Sequence, residues 1–210
     1  MAEAGHDAAF RAGIADYEAR TKREEALIES LPEEEARQRI DEMLLPVGPA
    51  TGQLLNLLVR EREARRILEV GSSYGYSTLW LAEGARAVGG KVTSLELRRA
   101  KTEYATTQLA RAGLEGYVEF RVGDALASLR ALPGPFDLVL LDLWKDLYVR
   151  VWELLHPKRA PGALVIADNM TYPESAAAHA QAYREAVQGS SGMTSVLLPV
   201  GNGLEISRYR

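Results

Sequence analysis

Cysteine is absent from this chain of 210 residues, and histidine and lysine are scarce. Without cysteine there are no disulfides, no thiolate metal sites and no thiol nucleophiles. The three histidines, His6, His156 and His179, form no cluster in the sequence, so a zinc site or a histidine-based nucleophilic site is not expected. Arginine dominates the 25 basic residues, and lysine occurs only at positions 22, 91, 101, 145 and 158.

Long apolar runs are missing as well. Runs such as Leu138–Leu141 and Ala163–Ala167 are far below the roughly 20 residues of a membrane span. The segment Met1–Phe10 has acidic residues and no apolar core, so no signal peptide is expected. A net charge of −4 argues against a nucleic-acid surface. We therefore expect a cytoplasmic enzyme or binding protein whose partners include neither membrane nor nucleic acid.

The chain has two textures. Residues 1–62 contain three predicted helices: Ala8–Ser30, a second that begins at Pro32 and ends near Leu44–Leu45, and a third that opens at Thr51 or Gly52 after a connector over residues 46–49. Residues 63–210 alternate short apolar strands with helices, which favours βαβ units and a parallel sheet.

Seven strands are predicted in this second part: Ile67–Val70, Val92–Glu96, Val118–Val122, Leu138–Asp142, Leu164–Ala167, Thr194–Pro199 and Leu204–Arg208. Five helices are predicted with them: Ser77–Ala87, Arg98–Ala112, Ala125–Leu132, Asp146–Leu155 and Ser175–Gln188. The turn over residues 200–203 predicts a closing hairpin and hence one antiparallel edge strand. The fold class is α/β, a Rossmann-like doubly wound sheet, and we expect one domain over residues 1–210. Residues 1–62 would form its helical cap and residues 63–210 its core.

A glycine loop follows the first predicted strand. Gly71 and Gly75 allow tight backbone geometry and a close ligand approach, and Ser77 is placed to cap the next helix or to bind an anion there. The spacing G-x-x-x-G lacks the middle glycine of dinucleotide enzymes. A plain turn without a ligand is the alternative.

Two acids extend this candidate site. Glu96 ends the second strand, where a carboxylate can accept hydrogen bonds from both hydroxyls of a ribose. Its alternative is an exposed carboxylate at a strand end. Asp124 follows the third strand, where an adenine would project, but a helix N-cap explains it equally well. Together these residues fit a ligand that contains adenosine and lacks a second phosphate.

Polar residues also end the fourth and fifth strands. Asp142 and the pair Asp168-Asn169 fall where parallel strands share one crevice, and two carboxylates with an amide oxygen form a hard site that suits Mg²⁺. A turn or helix cap is the alternative for Asp168-Asn169. Lys145, three residues after Asp142, would be a general base whose pKa the metal lowers, or else a surface lysine paired with Asp146 or Glu153.

The motifs taken together resemble the S-adenosylmethionine-dependent, metal-dependent O-methyltransferases of the catechol and caffeoyl-CoA type. The resemblance covers about residues 43–210. It depends on LLPVGPATGQ at 44–53, ILEVGSSYGYSTLWLA at 67–82, VTSLEL at 92–97, FDLVLLDLWKDLY at 136–148, GALVIADN at 162–169 and GNGLEISRY at 201–209. LDLWKDLY is similar to the catechol enzymes in particular, although Leu143 stands where the animal enzymes carry histidine.

The resemblance implies a residue set for each ligand. Cofactor-binding residues would be Val47, Glu69, Gly71, Ser73, Gly75, Ser77, Glu96, Asp124, Ala125 and Asp142. Asp142, Asp168 and Asn169 would hold Mg²⁺ or another divalent cation, and Lys145 would be the catalytic base. Lys145, Asn169, Glu205, Trp144 and Pro173 would contact a catechol-like small molecule. Trp144 could equally be a core or subunit-contact aromatic, and Glu205 could face solvent.

Three further expectations complete the sequence-based reading. Family resemblance predicts a possible homodimer. A caffeoyl-CoA-like or secondary-metabolite substrate is the alternative within the same chemistry. A nicotinamide-dependent oxidoreductase on a Rossmann-type sheet is the alternative from another class, against which the missing middle glycine counts.

Overall fold

A seven-stranded mixed sheet organises the structure, a computed structural model that describes residues 8–210. Its strands are β1 (Arg66–Val70), β2 (Lys91–Glu96), β3 (Val118–Val122), β4 (Phe136–Leu141), β5 (Arg159–Ala167), β6 (Met193–Leu198) and β7 (Leu204–Tyr209). Their order is β3-β2-β1-β4-β5-β7-β6. The first five are parallel, and β7 is antiparallel to both β5 and β6. The α/β class, the strand number and the closing hairpin are confirmed.

The strand order reverses at β1, which pairs with β2 on one side and with β4 on the other. Val70, the last residue of β1, is opposite both Leu95 and Leu141. In open parallel sheets a crevice forms outside the carboxyl ends of the strands at such a reversal. The fold therefore places its ligand crevice where the glycine loop and Asp142 begin.

Eight α-helices surround the sheet among the described residues. They are α1 (Ala8–Ser30), α2 (Glu33–Arg39), α3 (Pro49–Glu61), α4 (Tyr76–Val88), α5 (Arg99–Arg111), α6 (Ala125–Ala131), α7 (Tyr148–Leu155) and α8 (Ala177–Gln188). None of them is long and apolar enough to cross a membrane.

Three predicted boundaries were wrong. Helix α2 ends at Arg39 with one 3-10 turn after it, because the backbone near Leu44 leaves the helix to bond with Ser73 and Glu24. Helix α3 begins at Pro49, which occupies its first turn. Strand β5 begins at Arg159 and includes Pro161 and Gly162 at a register shift against β4, so residues that normally interrupt a strand lie within it.

The sheet is buried on both faces, as expected for parallel strands. Along β4, Val139 and Leu141 pack with α6, α7 and α8, whereas Leu138 and Leu140 pack with α3 and α4. A third apolar cluster joins α1 to α4 and α5, where Phe10 meets the ring of Trp80 edge-to-face at 5.0 Å between centroids. Helix α1 thus contributes buried side chains to the packing around α4.

A candidate active site at the carboxyl ends of β1, β4 and β5

The glycine loop passes over the ends of β1 and β4 at very short range. Gly71 has φ +92°, and a Cβ there would overlap the carbonyl oxygen of Asp142. Gly75 also has φ +92°, and its Cβ would lie 2.6 Å from the Cβ of Ala105. The G-x-x-x-G spacing therefore has a steric cause: both positions need glycine for the backbone to turn between strand and helix.

Glu69 is a fully buried carboxylate beneath this loop. It accepts hydrogen bonds from the hydroxyls of Ser77, Thr78 and Ser94, each at 2.6 Å. Burial raises the pKa of Glu69 to about 7, and the three hydroxyl donors oppose the shift. Ser77 donates to Glu69 rather than capping α4, so the cap expected from the sequence is not made; the N-cap position is Gly75.

Glu96 organises the opposite wall of the crevice. It is 9% exposed and accepts from the backbone amides of Ser73 and Arg98, both at 2.9 Å. Ser73 in turn donates to the carbonyl of Leu44 at 3.3 Å and accepts from Lys101 Nζ at 3.2 Å. The connector that holds the buried Val47 is thereby joined to the glycine loop.

Asp124 and Ala125 begin α6 at the same edge of the sheet. The Asp124 carboxylate is exposed and accepts from the Ala127 amide at 2.8 Å, so it is the N-cap of α6. The adjacent Gly123 amide donates to the Glu96 carbonyl at 2.9 Å, which keeps this turn next to the wall formed by Glu96. The capping alternative is correct, and a contact with adenine stays a prediction.

The three predicted metal ligands follow two adjacent strands. The Asp142 amide donates to the carbonyl of Val70 at 2.9 Å, and the Asp168 amide donates to that of Leu141 at 3.0 Å. Asn169 has φ +55°, a left-handed conformation that asparagine tolerates better than most residues. Each side chain thus leaves the sheet from a backbone position that the neighbouring strand fixes.

Asp168 is the best evidence that these residues fit a cation. Its carboxylate is 1% exposed, and its Oδ1 has no hydrogen-bond partner among residues 8–210. Burial raises the pKa of both Asp142 and Asp168, and Lys145 opposes this rise. A buried carboxylate oxygen without a partner is costly unless something binds it. The candidate donors are therefore two carboxylates and one amide oxygen. No group of three acidic or histidine side chains able to hold a metal ion occurs in the described part of the chain.

Lys145 lies among these ligands. It is 9% exposed, and its Nζ donates to Tyr148 Oη at 2.9 Å, to Asn169 Oδ1 at 3.3 Å and to the Leu143 carbonyl at 3.3 Å. Burial lowers the pKa of Lys145, and the neighbouring Asp142 and Asp168 counteract this. Lys145 is therefore a buried amine facing a predicted metal ligand, and the alternative of a surface ion pair is wrong.

Tyr148 is a member of the site that our reading of the sequence missed. Its fully buried hydroxyl lies 3.0 Å from the Leu141 carbonyl oxygen and 3.2 Å from that of Asp168. One signal was available, because Tyr148 follows Lys145 by three residues, a spacing that places side chains on one face of a helix.

The predicted substrate residues divide into two groups. Trp144 is 63% exposed beside the site, so the alternative of a core tryptophan is wrong. Pro173 is also exposed, with Tyr172 next to it. Glu205 is fully buried on β7 and accepts from Arg184 Nε at 3.1 Å and from the hydroxyl of Ser195. A solvent-facing Glu205 is thus wrong, and its hydrogen bonds link it to α8 and β6 rather than to Lys145.

Comparisons with known proteins agree with this fold and identify its family. A family profile described as O-methyltransferase matches residues 18–208. A catechol O-methyltransferase of Mycobacterium tuberculosis is 40% identical over 130 residues, which are 60% of this chain and 57% of that protein. Caffeoyl-CoA O-methyltransferase 2 of Populus trichocarpa is 29% identical over 178 residues, 75% of this chain and 72% of that protein.

A solved structure extends the likeness to the whole chain. The O-methyltransferase TomG of Streptomyces achromogenes, in complex with SAM, is 29% identical with a TM-score of 0.76, covering 99% of this chain and 92% of that one. The chain spans less than two thirds of the length of the first catechol relatives. It belongs to the O-methyltransferase family, which decides against the nicotinamide alternative.

Proposed function

We propose that this protein is an S-adenosylmethionine-dependent, Mg²⁺-dependent O-methyltransferase acting on one hydroxyl of an ortho-dihydroxy aromatic compound. The main support is the contact of the buried Lys145 amine with Asn169, next to the unpartnered carboxylate oxygen of Asp168. A buried amine that can be neutral and accept a proton, placed beside oxygen atoms able to hold a cation, would suit general-base deprotonation of a phenol.

The cofactor would occupy the crevice between the glycine loop and Glu96. Gly71 and Gly75 give the loop its tight turn between β1 and α4, and Glu96 would accept from the ribose hydroxyls. Ser73, Val47 and the connector would cover the methionine part. Glu69 would act from below, since its oxygens already hold Ser77, Thr78 and Ser94.

Asp142, Asp168 and Asn169 would hold the divalent cation. When bound, this ion would stabilise negative charge that develops on a phenolic oxygen. Burial disfavours the charged forms of both carboxylates in the isolated chain, and a cation would reverse that preference.

Lys145 would take the proton from the reacting hydroxyl. Burial already lowers the pKa of its ammonium, which increases the fraction of neutral amine present at neutral pH. The phenolic oxygen would then attack the methyl carbon of the cofactor while the carbon–sulfur bond breaks. The protein's remaining contribution would be positioning, with Trp144 and Pro173 as walls for the ring. Glu205 would join only if it exchanged its present partners.

A larger caffeoyl-CoA-like substrate is the second candidate. The observation in its favour is the openness of the site mouth, where Trp144 and Tyr172 are 63% and 62% exposed. Plant caffeoyl-CoA enzymes are also among the relatives. Parallel assays with a free catechol and with a caffeoyl thioester distinguish the two.

The test measures transfer of a labelled methyl group to a panel of ortho-diphenols, with Mg²⁺ and with a chelator. We expect turnover only with the metal, and a loss in Lys145→Ala of roughly 10²- to 10⁴-fold, the usual contribution of a general base. Lys91→Ala, at an exposed lysine on β2, is the control. Full turnover by Lys145→Ala would refute Lys145 as the base. Full activity in the presence of the chelator would refute the dependence on Mg²⁺.

Organisation and location complete the proposal. We propose one methyltransferase domain over residues 1–210, of which residues 1–7 lie outside the described part of the chain. We also propose that the protein is cytoplasmic and forms a homodimer. Sedimentation velocity checks the dimer: a single species near 23.1 kDa would refute it.

A further inference from the structure

Tyr148 joins three parts of the site through one buried hydroxyl. The hydroxyl proton points to the carbonyls that end β4 and β5, Leu141 at 3.0 Å and Asp168 at 3.2 Å. Since a tyrosine hydroxyl has a single proton, this group must accept the hydrogen bond from Lys145 Nζ at 2.9 Å. The hydroxyl therefore accepts from Lys145 and shares its one proton between the two carbonyls.

The partners of Lys145 set where its lone pair can point. Nζ has three acceptors within reach: Tyr148 Oη, the Leu143 carbonyl and Asn169 Oδ1. The ammonium form supplies three protons and can serve all three. The neutral amine has two N–H bonds and one lone pair. Tyr148 is the nearest of the three acceptors, so it would keep one N–H bond, and a second N–H bond to Leu143 would leave the lone pair on the side of Asn169.

We propose that Tyr148 is a positioning residue that aims the Lys145 amine at the substrate hydroxyl. The inference rests on the proposed function, in which Lys145 is the base. Tyr148 would act through Lys145 and not by its own contact with substrate or cofactor, since its hydroxyl is engaged by Lys145, Leu141 and Asp168. It links the lysine to the strand ends from which Asp142 and Asp168 emerge, so that base and metal ligands keep one geometry.

The tyrosine ring supports the same arrangement. Lys145 Nζ lies 4.5 Å from the centroid of the Tyr148 ring, within the range of a cation–π contact. The ring is held in turn by Tyr183, edge-to-face at 5.4 Å. The side chain that receives the lysine is thus fixed by packing as well as by its two carbonyl contacts.

Tyr183 supplies a matched control. It is also fully buried, belongs to the same apolar cluster, and its hydroxyl has no hydrogen-bond partner among the described residues. Tyr148→Phe and Tyr183→Phe therefore each remove one buried oxygen from neighbouring rings. Only the first removes an acceptor of Lys145.

The kinetic test compares both variants at saturating Mg²⁺, well below their unfolding midpoints. We expect Tyr148→Phe to lower kcat on the order of tenfold, the usual effect of losing a hydrogen bond to a charged group, with KM for catechol and cofactor unchanged. Tyr183→Phe should keep the wild-type kcat. Equal kcat values in the two variants would overturn the inference.

A second readout needs no cofactor, metal or turnover. Competitive labelling with acetic anhydride, read by mass spectrometry, reports the reactivity of each lysine, with the exposed Lys22 and Lys91 as internal references. We expect the labelling of Lys145 to rise severalfold in Tyr148→Phe, because the amine loses its tether, and to stay constant in Tyr183→Phe. Unchanged labelling in both would contradict the tether.

A double variant separates this inference from the proposed function. If Tyr148 acts through Lys145, adding Tyr148→Phe to Lys145→Ala causes no further loss of turnover. A further tenfold loss would mean that Tyr148 acts by another route. If Lys145→Ala alone is fully active, the proposed base fails, whereas the labelling result still decides whether Tyr148 holds the lysine.

Discussion

At the scale of single residues, Gly71 combines two constraints that glycine alone satisfies. Its φ is +92°, and the space where a Cβ would stand is taken by the carbonyl oxygen of Asp142. The same turn thus fixes the cofactor loop against the first predicted metal ligand. Gly113 has a comparable φ of +64° but nothing within 4 Å of its Cβ position.

We predict that Gly71→Ala is far more destabilising than Gly113→Ala. Gly113→Ala should cost about 1 kcal/mol from the backbone conformation alone, which lowers Tm by about 2–4 °C in a chain of this size. Gly71→Ala adds a clash with the backbone of Asp142, so it should lower the free energy of unfolding severalfold more than Gly113→Ala does. We expect it to weaken cofactor binding as well. Thermal unfolding of both variants checks this, and similar Tm values would contradict the clash.

Glu69 makes a prediction for pH. Its pKa is about 7 in the folded protein, against 4.5 for an unperturbed glutamate. Between these values the folded state binds the extra proton, so its contribution to stability is complete below pH 4.5 and is lost as pH rises to 7. The slope is about −1.4 kcal/mol per pH unit at most.

The variant Glu69→Gln should remove that slope. Free energies of unfolding from urea titrations at pH 5, 6 and 7 measure it, with the loss of stability over this range smaller in the variant than in the wild type. Glu33→Gln, at an exposed glutamate, is the control and should follow the wild type. Parallel curves for Glu69→Gln and the wild type would show that Glu69 is charged throughout.

Residue identity predicted which side chains the fold brings together at the strand ends, but not the side chains that support them. Asp142, Asp168 and Lys145 could be identified from the sequence, because a parallel sheet brings its strand ends together and the motifs mark these positions. The partners of Glu69 and Glu205 were not, since Ser94 and Arg184 meet them only through the register of the sheet and the docking of α8. Tyr148 lies at helical spacing from Lys145, which the sequence shows, but its burial and its contact with Lys145 are seen only in the structure.

At the scale of elements, α1 is joined to the cofactor loop by polar contacts as well as by its apolar face. Glu24 accepts from the Leu44 amide at 2.7 Å and from Arg20 at 2.6 Å, and the Arg20 guanidinium lies 4.2 Å from the centroid of the Tyr74 ring. Tyr17 also donates to the Tyr74 carbonyl at 2.5 Å. These contacts hold the connector and the glycine loop in one arrangement.

We expect Glu24→Ala to weaken cofactor binding by roughly three- to tenfold, less than the full cost of a hydrogen bond to a charged group, because Glu24 would act on the cofactor only through the connector. Isothermal titration with S-adenosylhomocysteine measures the affinity. Glu33→Ala breaks only an exposed ion pair with Arg37 and should bind as the wild type does. Equal affinities in the two variants would show that the connector is set without α1.

The sequence predicted elements better than their ends. All seven strands were predicted, because each is a short apolar or alternating segment bounded by polar turns. The ends of α2 and the start of β5 were wrong for one reason in common: contacts distant in sequence override local preference. Leu44 bonds to Ser73 and Glu24 instead of continuing a helix, and pairing with β4 extends β5 through Pro161.

At the scale of the whole molecule, α1 tests whether residues 8–210 unfold as one unit. Phe10 is 1% exposed and packs on Trp80, which lies in α4 next to the glycine loop. Phe10→Ala should cost about 3 kcal/mol and lower Tm by about 10 °C. Calorimetry should record a single shifted transition, with Leu57→Ala, at an exposed leucine, close to the wild type.

Two separate transitions in that experiment would show that α1 melts without the sheet, against the single-domain proposal. One shared transition would mean that the cofactor loop loses its support only when the protein unfolds as a whole.

The backbone bonds of Asp142 and Asp168 separate chemistry from selectivity. Their amides are held by Val70 and Leu141, so the spacing between them follows that of adjacent strands, about 4.8 Å. Trp144, Tyr172 and Pro173 are exposed at the rim and belong to none of the buried apolar clusters. Under the proposed function, exchange of the rim residues would change which phenols are accepted, while the positions of Asp142 and Asp168 would stay as the sheet sets them. A library randomised at these three positions should yield altered substrate preference with little loss of folding.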